Sequence, residues 1–246
     1  MLLLLLDNMR SITIVVFARE PTICMDILYE YSCRLQFEFL CISNNPKFPT
    51  TSIEYEVKVV AETAEFPEKY LFRSLPDKSD EHFYLRLDSD ELLTFEDLAK
   101  LKKTVESIEL NVVGQMNRLW INKYRGKWFY NSLAKSKVKM NSSFDAQMRL
   151  FCKNRVLPDE RIHTPGIDFQ QCKTLNIDIN ILHLIYQENS FLDRLRKVVK
   201  YEKQFRRAGL GKLRYYLPEM IINRNIWIPL DAKFFELLSQ YKALSK

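Results

Sequence analysis

Residues 11–18 read SITIVVFA, a continuous β-branched apolar run of the kind that fills a strand buried on both faces. Arg19, Glu20 and Pro21 end it, and Pro21 suits the first turn of a helix. Beyond Thr22, the residues Ile23, Ile27, Leu28, Tyr31 and Leu35 recur at helical spacing. Residues 37–43, FEFLCIS, form a second apolar run closed by Asn44, Asn45 and Pro46. Strand, helix and strand in this order make a β–α–β unit, whose strands lie parallel in one sheet. The expected fold is therefore α/β, with a Rossmann-type, mostly parallel central sheet flanked by helices.

Outward from that unit, residues 53–60 alternate like a third strand, 66–75 suit a helix and 76–80 a polar loop. Residues 83–87, FYLRL, are the next strand and run directly into Asp88, Ser89, Asp90 and Glu91. Thr94, followed by Asp97, reads as the N-cap of a helix over 95–105. Residues 117–124 and 127–129 read as a strand pair turning at Arg125–Gly126, and 144–166 as short strands and loops. From Ser190 the chain reads as helical and basic. The layout is one catalytic-type domain over 1–186 and a basic helical extension over 187–246 packed on it.

The chain has 246 residues, 47% hydrophobic and 28% charged, which suits a packed globular core. Its five glycines form neither a phosphate-binding GxxxxGK[ST] loop nor a GxGxxG dinucleotide loop. Three histidines, at 82, 163 and 183, exclude an HExxH zinc site. The five cysteines include no CxxC pair, and an odd number argues for reduced thiols. The leucine run near the N-terminus is too short for a membrane span or a signal peptide, so a cytoplasmic place is expected. Charge is uneven: residues 1–100 hold 10 Lys and Arg against 18 Asp and Glu, whereas residues 101–246 hold 27 against 13. A basic second half suggests an anionic partner.

The acidic cluster is the sharpest chemical feature. In open α/β sheets ligands bind beyond the carboxyl ends of strands, where Asp88 and Asp90 are expected to fall. Two carboxylates two residues apart can converge on Mg²⁺ or Mn²⁺, which offsets charge on a leaving phosphate.

The string FYLRLDSDELL resembles the strand-plus-DxDE metal motif of family 2 glycosyltransferases with a GT-A fold. Other segments agree in order. Phe17-Ala18-Arg19-Glu20 is similar to the family's first nucleotide-contacting turn. Gln147-Met148-Arg149-Leu150-Phe151 and Arg161-Ile162-His163 resemble segments of the branch that builds lipopolysaccharide cores and related bacterial glycans. Ile181-Leu182-His183, with Lys197, Lys200 and Tyr201 beyond, is similar to its closing region. The resemblance spans residues 11–205. It departs at Thr164, where that branch carries Glu, and at Ser43-Asn44-Asn45, where it carries a nucleotide-holding Asp.

The resemblance implies inverting transfer of a sugar from a UDP- or GDP-sugar to a glycan or glycolipid hydroxyl, in bacterial-type surface glycan synthesis. It implies Mn²⁺ or Mg²⁺ held by Asp88, Asp90 and His163. Ala18, Arg19, Glu20, Asn44, Asn45, Arg73, Asp88 and Ser89 would contact the nucleotide-sugar. Glu160, Asp159 and Glu91 are the candidate bases, Glu91 having the alternative of holding the loop through backbone hydrogen bonds. His183, inside an apolar run, reads as a core histidine.

Nine basic residues within 194–214, among apolar Phe191, Leu195, Val198 and Phe205, suggest a helix facing an anionic membrane, peripheral on its inner face. Two other readings stand beside the enzyme: a catalytically weak GT-A-like binding or scaffold protein, and a Mg²⁺-dependent nucleic-acid-processing protein. No nucleic-acid motif appears, so no nucleic-acid partner is expected.

Overall fold

In a computed structural model, which describes residues 10–49, 54–60, 71–131, 145–158, 167–204, 217 and 227–245, β1 (Ile12–Phe17) is buried at every position. Its side chains alternate between two cores. Ile12, Ile14 and Val16 join one apolar cluster, and Val15 and Phe17 join the other. A strand covered on both faces needs no polar alternation, which is why the run is continuous.

β1 pairs in parallel with β2 (Glu38–Ser43) on one side and β4 (Phe83–Asp88) on the other. β3 (Glu56–Val59) extends the sheet beyond β2, also parallel. Between β1 and β2 runs α1 (Ile23–Leu35). Thr22 caps it, its side chain accepting from the Met25 backbone N–H, so Pro21 stands just before the cap instead of inside the first turn. Gln36 closes the helix in the left-handed conformation, φ 60°. Of the expected helix over 66–75, the described part is α2 (Leu71–Ser74). β5 (Glu91–Leu92) and α3 (Phe95–Ser107) follow the acidic turn, and Thr94 caps α3 through the Asp97 N–H.

Beyond β4 the sheet is mixed. β6 (Val112–Tyr124) and β7 (Lys127–Asn131) form a hairpin whose two turn residues both have positive φ, Arg125 at 49° and Gly126 at 81°. That is the primed geometry matching strand twist. β8 (Asp145–Cys152) wedges antiparallel between β4 and β6. β9 (Leu157–Pro158) and β10 (Ile167–Asp168) make a small separate pair. β11 (Lys173–His183) lies parallel to β6 and antiparallel to β5. Gly114 on β6 is needed there: a Cβ would stand 2.6 Å from Ile177 Cδ1 and 2.9 Å from Leu150 Cβ.

The fold is thus α/β, with parallel central strands flanked by helices. The C-terminal part is mostly helical, as expected, but also adds a strand to the sheet. α4 (Ile185–Glu188) and α5 (Phe191–Gln204) are helical, but β12 (Trp227–Pro229) joins β7 in the sheet. After it, α6 (Phe235–Leu244) packs on α1, with Tyr31 donating to Gln240 Oε1 at 2.7 Å. Among the described residues, no helix is long and apolar enough to cross a membrane.

Candidate functional site

The register Phe17↔Asp88 and Phe17↔Ile42 brings the loops after β1, β2 and β4 to one edge of the sheet. Asn45 Nδ2 donates to the Arg19 carbonyl at 2.9 Å, tying the first two loops together. Thr22 Oγ1 donates to the Ser89 carbonyl at 2.6 Å, so the cap of α1 also holds the acidic turn. Glu91 completes the turn, its Oε2 accepting from the Asp88 backbone N–H at 2.9 Å.

Three arginines from three strands close on this turn: Arg86 of β4, Arg118 of β6 and Arg149 of β8. Arg149 Nη2 stands 3.2 Å from Asp88 Oδ2 and 2.5 Å from Glu91 Oε1. Arg118 Nη1 is 3.6 Å from Asp88 and 3.4 Å from Glu91, and Arg86 Nη2 is 3.4 Å from Asp88 Oδ1. Burial alone would push the Asp88 carboxyl up, but Arg149, Arg86 and Arg118 outweigh it and hold the group well below the usual carboxylate range. Burial pushes Glu91 up, against the pull of Arg149 and Arg118. Arg149 is almost wholly buried, and its Nε and Nη1 have no hydrogen-bond partner among the described residues.

Asp90 faces the other way. Its Oδ1 lies 3.2 Å from His183 Nε2, at the last residue of β11, and its carbonyl accepts from the Leu184 N–H at 2.7 Å. Burial raises the Asp90 carboxyl, and His183, with Lys197 beyond it, lowers it to a net depression. The His183 ring meets Trp120 edge-on at 4.4 Å. Its Nδ1 has no partner among the described residues. Glu188 on α4 adds a further carboxylate: burial raises it, Tyr241 donates to it at 2.8 Å, and the charge of Asp90 raises it again.

An octahedral divalent cation with bonds of about 2.1 Å has ligand–ligand edges of about 3 Å. Asp90 Oδ1 and His183 Nε2 match one such edge. Among the described residues no third His, Cys, Asp or Glu completes a metal cluster. Water and substrate phosphate commonly fill the rest of a Mg²⁺ shell. At 3.2 Å the two atoms bond to each other, so a divalent ion would be held there only in place of that bond, whereas the charge of Asp88 is already met by three guanidiniums.

The other expected residues divide. Ala18 is buried, its N–H donating to the Ile42 carbonyl at 3.2 Å, while Arg19 and Glu20 are exposed beside it. Asn44, Asn45 and Ser89 are half-buried at the same edge. Arg73 is exposed on α2. Glu91 is wholly buried in ion pairs, so it organises the turn and does not meet an acceptor. His163, Asp159 and Glu160 lie outside the described residues. Four site residues received no role or another one from sequence: Arg86, Arg118, Arg149 and His183. Arg86, Arg149 and His183 lie within segments that carry the resemblance, whereas Arg118 carried no signal. A cavity of about 580 Å³ lies elsewhere, between Lys127 and Trp128 of β7 and Phe235 and Ser239 of α6.

No family model matches the chain, and no curated protein matches it. Among solved structures, mannose-6-phosphate isomerase from Helicobacter pylori aligns with 79% of this chain and 79% of its own, at 10% identity and a TM-score of 0.34. A likeness that weak carries no statement about fold or activity.

Proposed function

We propose that this chain is a nucleotide-sugar-dependent glycosyltransferase acting on a glycan or glycolipid hydroxyl. The observation carrying the reading is the pairing of Asp90, in the turn just after β4, with His183 of β11, beside the arginine-bound Asp88, at the sheet edge where α/β ligands bind. The resemblance of FYLRLDSDELL to the GT-A acidic motif supports the same reading.

Asp90 and His183 would hold Mn²⁺ or Mg²⁺, whose charge would offset that growing on the diphosphate leaving group. The chain's own residues do the rest. Asp88, kept ionised by three arginines, accepts hydrogen bonds from hydroxyls of the donor nucleotide-sugar. The loops carrying Arg19–Glu20 and Asn44–Asn45 flank the nucleotide. A carboxylate takes the proton of the attacking hydroxyl. Asp159 and Glu160 are the carboxylates the resemblance implies, and Glu188, raised by burial, is a further one close to Asp90.

The test is a thermal-shift panel of UDP, GDP and their sugars with Mn²⁺, Mg²⁺ or chelator. One nucleotide should stabilise the chain only with metal, by about 2.7 kcal/mol at a hundredfold excess over Kd. Asp90→Asn should remove that metal-dependent part. No shift with any nucleotide, or an unchanged shift in Asp90→Asn, would overturn the reading.

A further inference from the structure

α5 turns an apolar face to solvent: Phe191 is 41% exposed, Leu192 59% and Val199 45%. With half-buried Leu195 they fall within an arc of about 100° of the helix. Exposed Arg196 and Lys203 continue the same face, and Arg196 is paired with Asp193 at 2.8 Å. Half-buried Glu202 is the acid on that side. The flank of the helix next to Phe191 is anchored. Val198 and Arg194 are each 4% exposed, and the Arg194 guanidinium covers the Tyr186 ring at 5.1 Å. The helix is therefore fixed to the body while three large apolar side chains stay in water.

We infer that α5 is an interfacial helix that lays Phe191, Leu192, Leu195 and Val199 into the surface of an anionic bilayer, with Arg196 and Lys203 meeting lipid phosphates. Apolar residues flanked by cations on one exposed face are the pattern of a helix lying in the membrane plane. A second copy of this chain is a poorer occupant, because it would set the same cations against each other. A nucleic acid would use the cations but leave Leu192 and Val199 without a partner. The segment following α5 adds Arg206, Arg207, Lys212 and Arg214 in sequence, against no acid before Glu219. The inference does not depend on the donor chemistry, although it would bring a lipid-linked acceptor near the site, since Lys197 of the same helix acts on Asp90.

The test is co-sedimentation of the full chain with vesicles of phosphatidylcholine alone or mixed with phosphatidylglycerol. The chain should pellet with the mixed vesicles only, and less so as salt is raised. Leu192→Glu should lower partitioning about tenfold, and Arg196→Gln about fivefold. Both sites are exposed, and thermal midpoints check that the variants fold. Val199→Ser gives a milder apolar loss should Leu192→Glu be unstable. Absence of binding to mixed vesicles at low salt, or equal binding by the wild-type and the apolar variants, would overturn the inference. So would a dimer that Leu192→Glu converts to monomer, or retention on RNA that Leu192→Glu leaves unchanged. None of these readouts involves a nucleotide-sugar, so failure here leaves the donor-binding test standing.

Discussion

At its amino end β4 begins beside His82, whose ring lies between Ser11 Oγ at 2.6 Å and Thr13 Oγ1 at 2.7 Å. At its carboxyl end the same strand runs into Asp88, which faces three guanidiniums. Thr13 gives its hydroxyl proton to Glu38 Oε2 at 2.8 Å. It must therefore accept from His82 Nε2–H, leaving Nδ1 to accept from Ser11. That arrangement pairs every polar atom of a neutral ring. The other end instead stores ionised groups and leaves nitrogen atoms of Arg149 and His183 unpaired among the described residues. Buried polar groups are normally satisfied. One end of β4 is thus satisfied within the fold itself, and the other keeps polar atoms that meet no partner among the described residues.

The largest way to break this contrast is Arg149→Leu. Glu91 would then be buried opposite only Arg118, and removing one partner of a buried pair costs about 3–5 kcal/mol. Urea unfolding measures the loss. A cost under about 1 kcal/mol would mean that the arginines do not hold the turn together.

The neutral end is tested by pH. Burial lowers His82 from its ordinary 6.5 to about 4. Between these values the unfolded chain binds the proton first, so stability falls as pH drops from about 6.5 to 4. The loss is about 3 kcal/mol over that window. In His82→Asn this fall should flatten, which unfolding at several pH values will show.

Thr22→Ala should have the smallest effect. It removes the cap of α1 and the bond to the Ser89 carbonyl, at about 1–2 kcal/mol. Its sharper signature is weaker metal-dependent nucleotide binding, because the acidic turn loses a tether. Loss of stability with unchanged binding would separate the cap from the site.

The β–α–β start, the acidic turn and the hairpin at Arg125–Gly126 were legible because each is local: a periodicity, a cap or a turn with its own side-chain chemistry. The site was legible only where it is contiguous, at Asp88, Ser89, Asp90 and Glu91. Arg86, Arg118 and Arg149 meet because β8 inserts antiparallel between β4 and β6, a choice of strand order that no single segment encodes. His183 reads as a core residue since its neighbours Ile181 and Leu182 are wholly buried. Its partner stands on another strand, reached through the pairing His183↔Glu91. β12 was missed because three residues, Trp227–Pro229, are too few to show a period.

The insertion of β8 also fixes an order of events during synthesis. Asp88 and Glu91 leave the ribosome well before Arg149, which lies 61 and 58 positions further along, and His183 follows some thirty residues later still. At about 5–20 residues per second, that places about 3–12 s between the acids and Arg149, and about half as long between them and Arg118. The basic half then arrives as their counter-charge. The uneven charge along the chain thus places the acids first and two of the three arginines that face Asp88 after them.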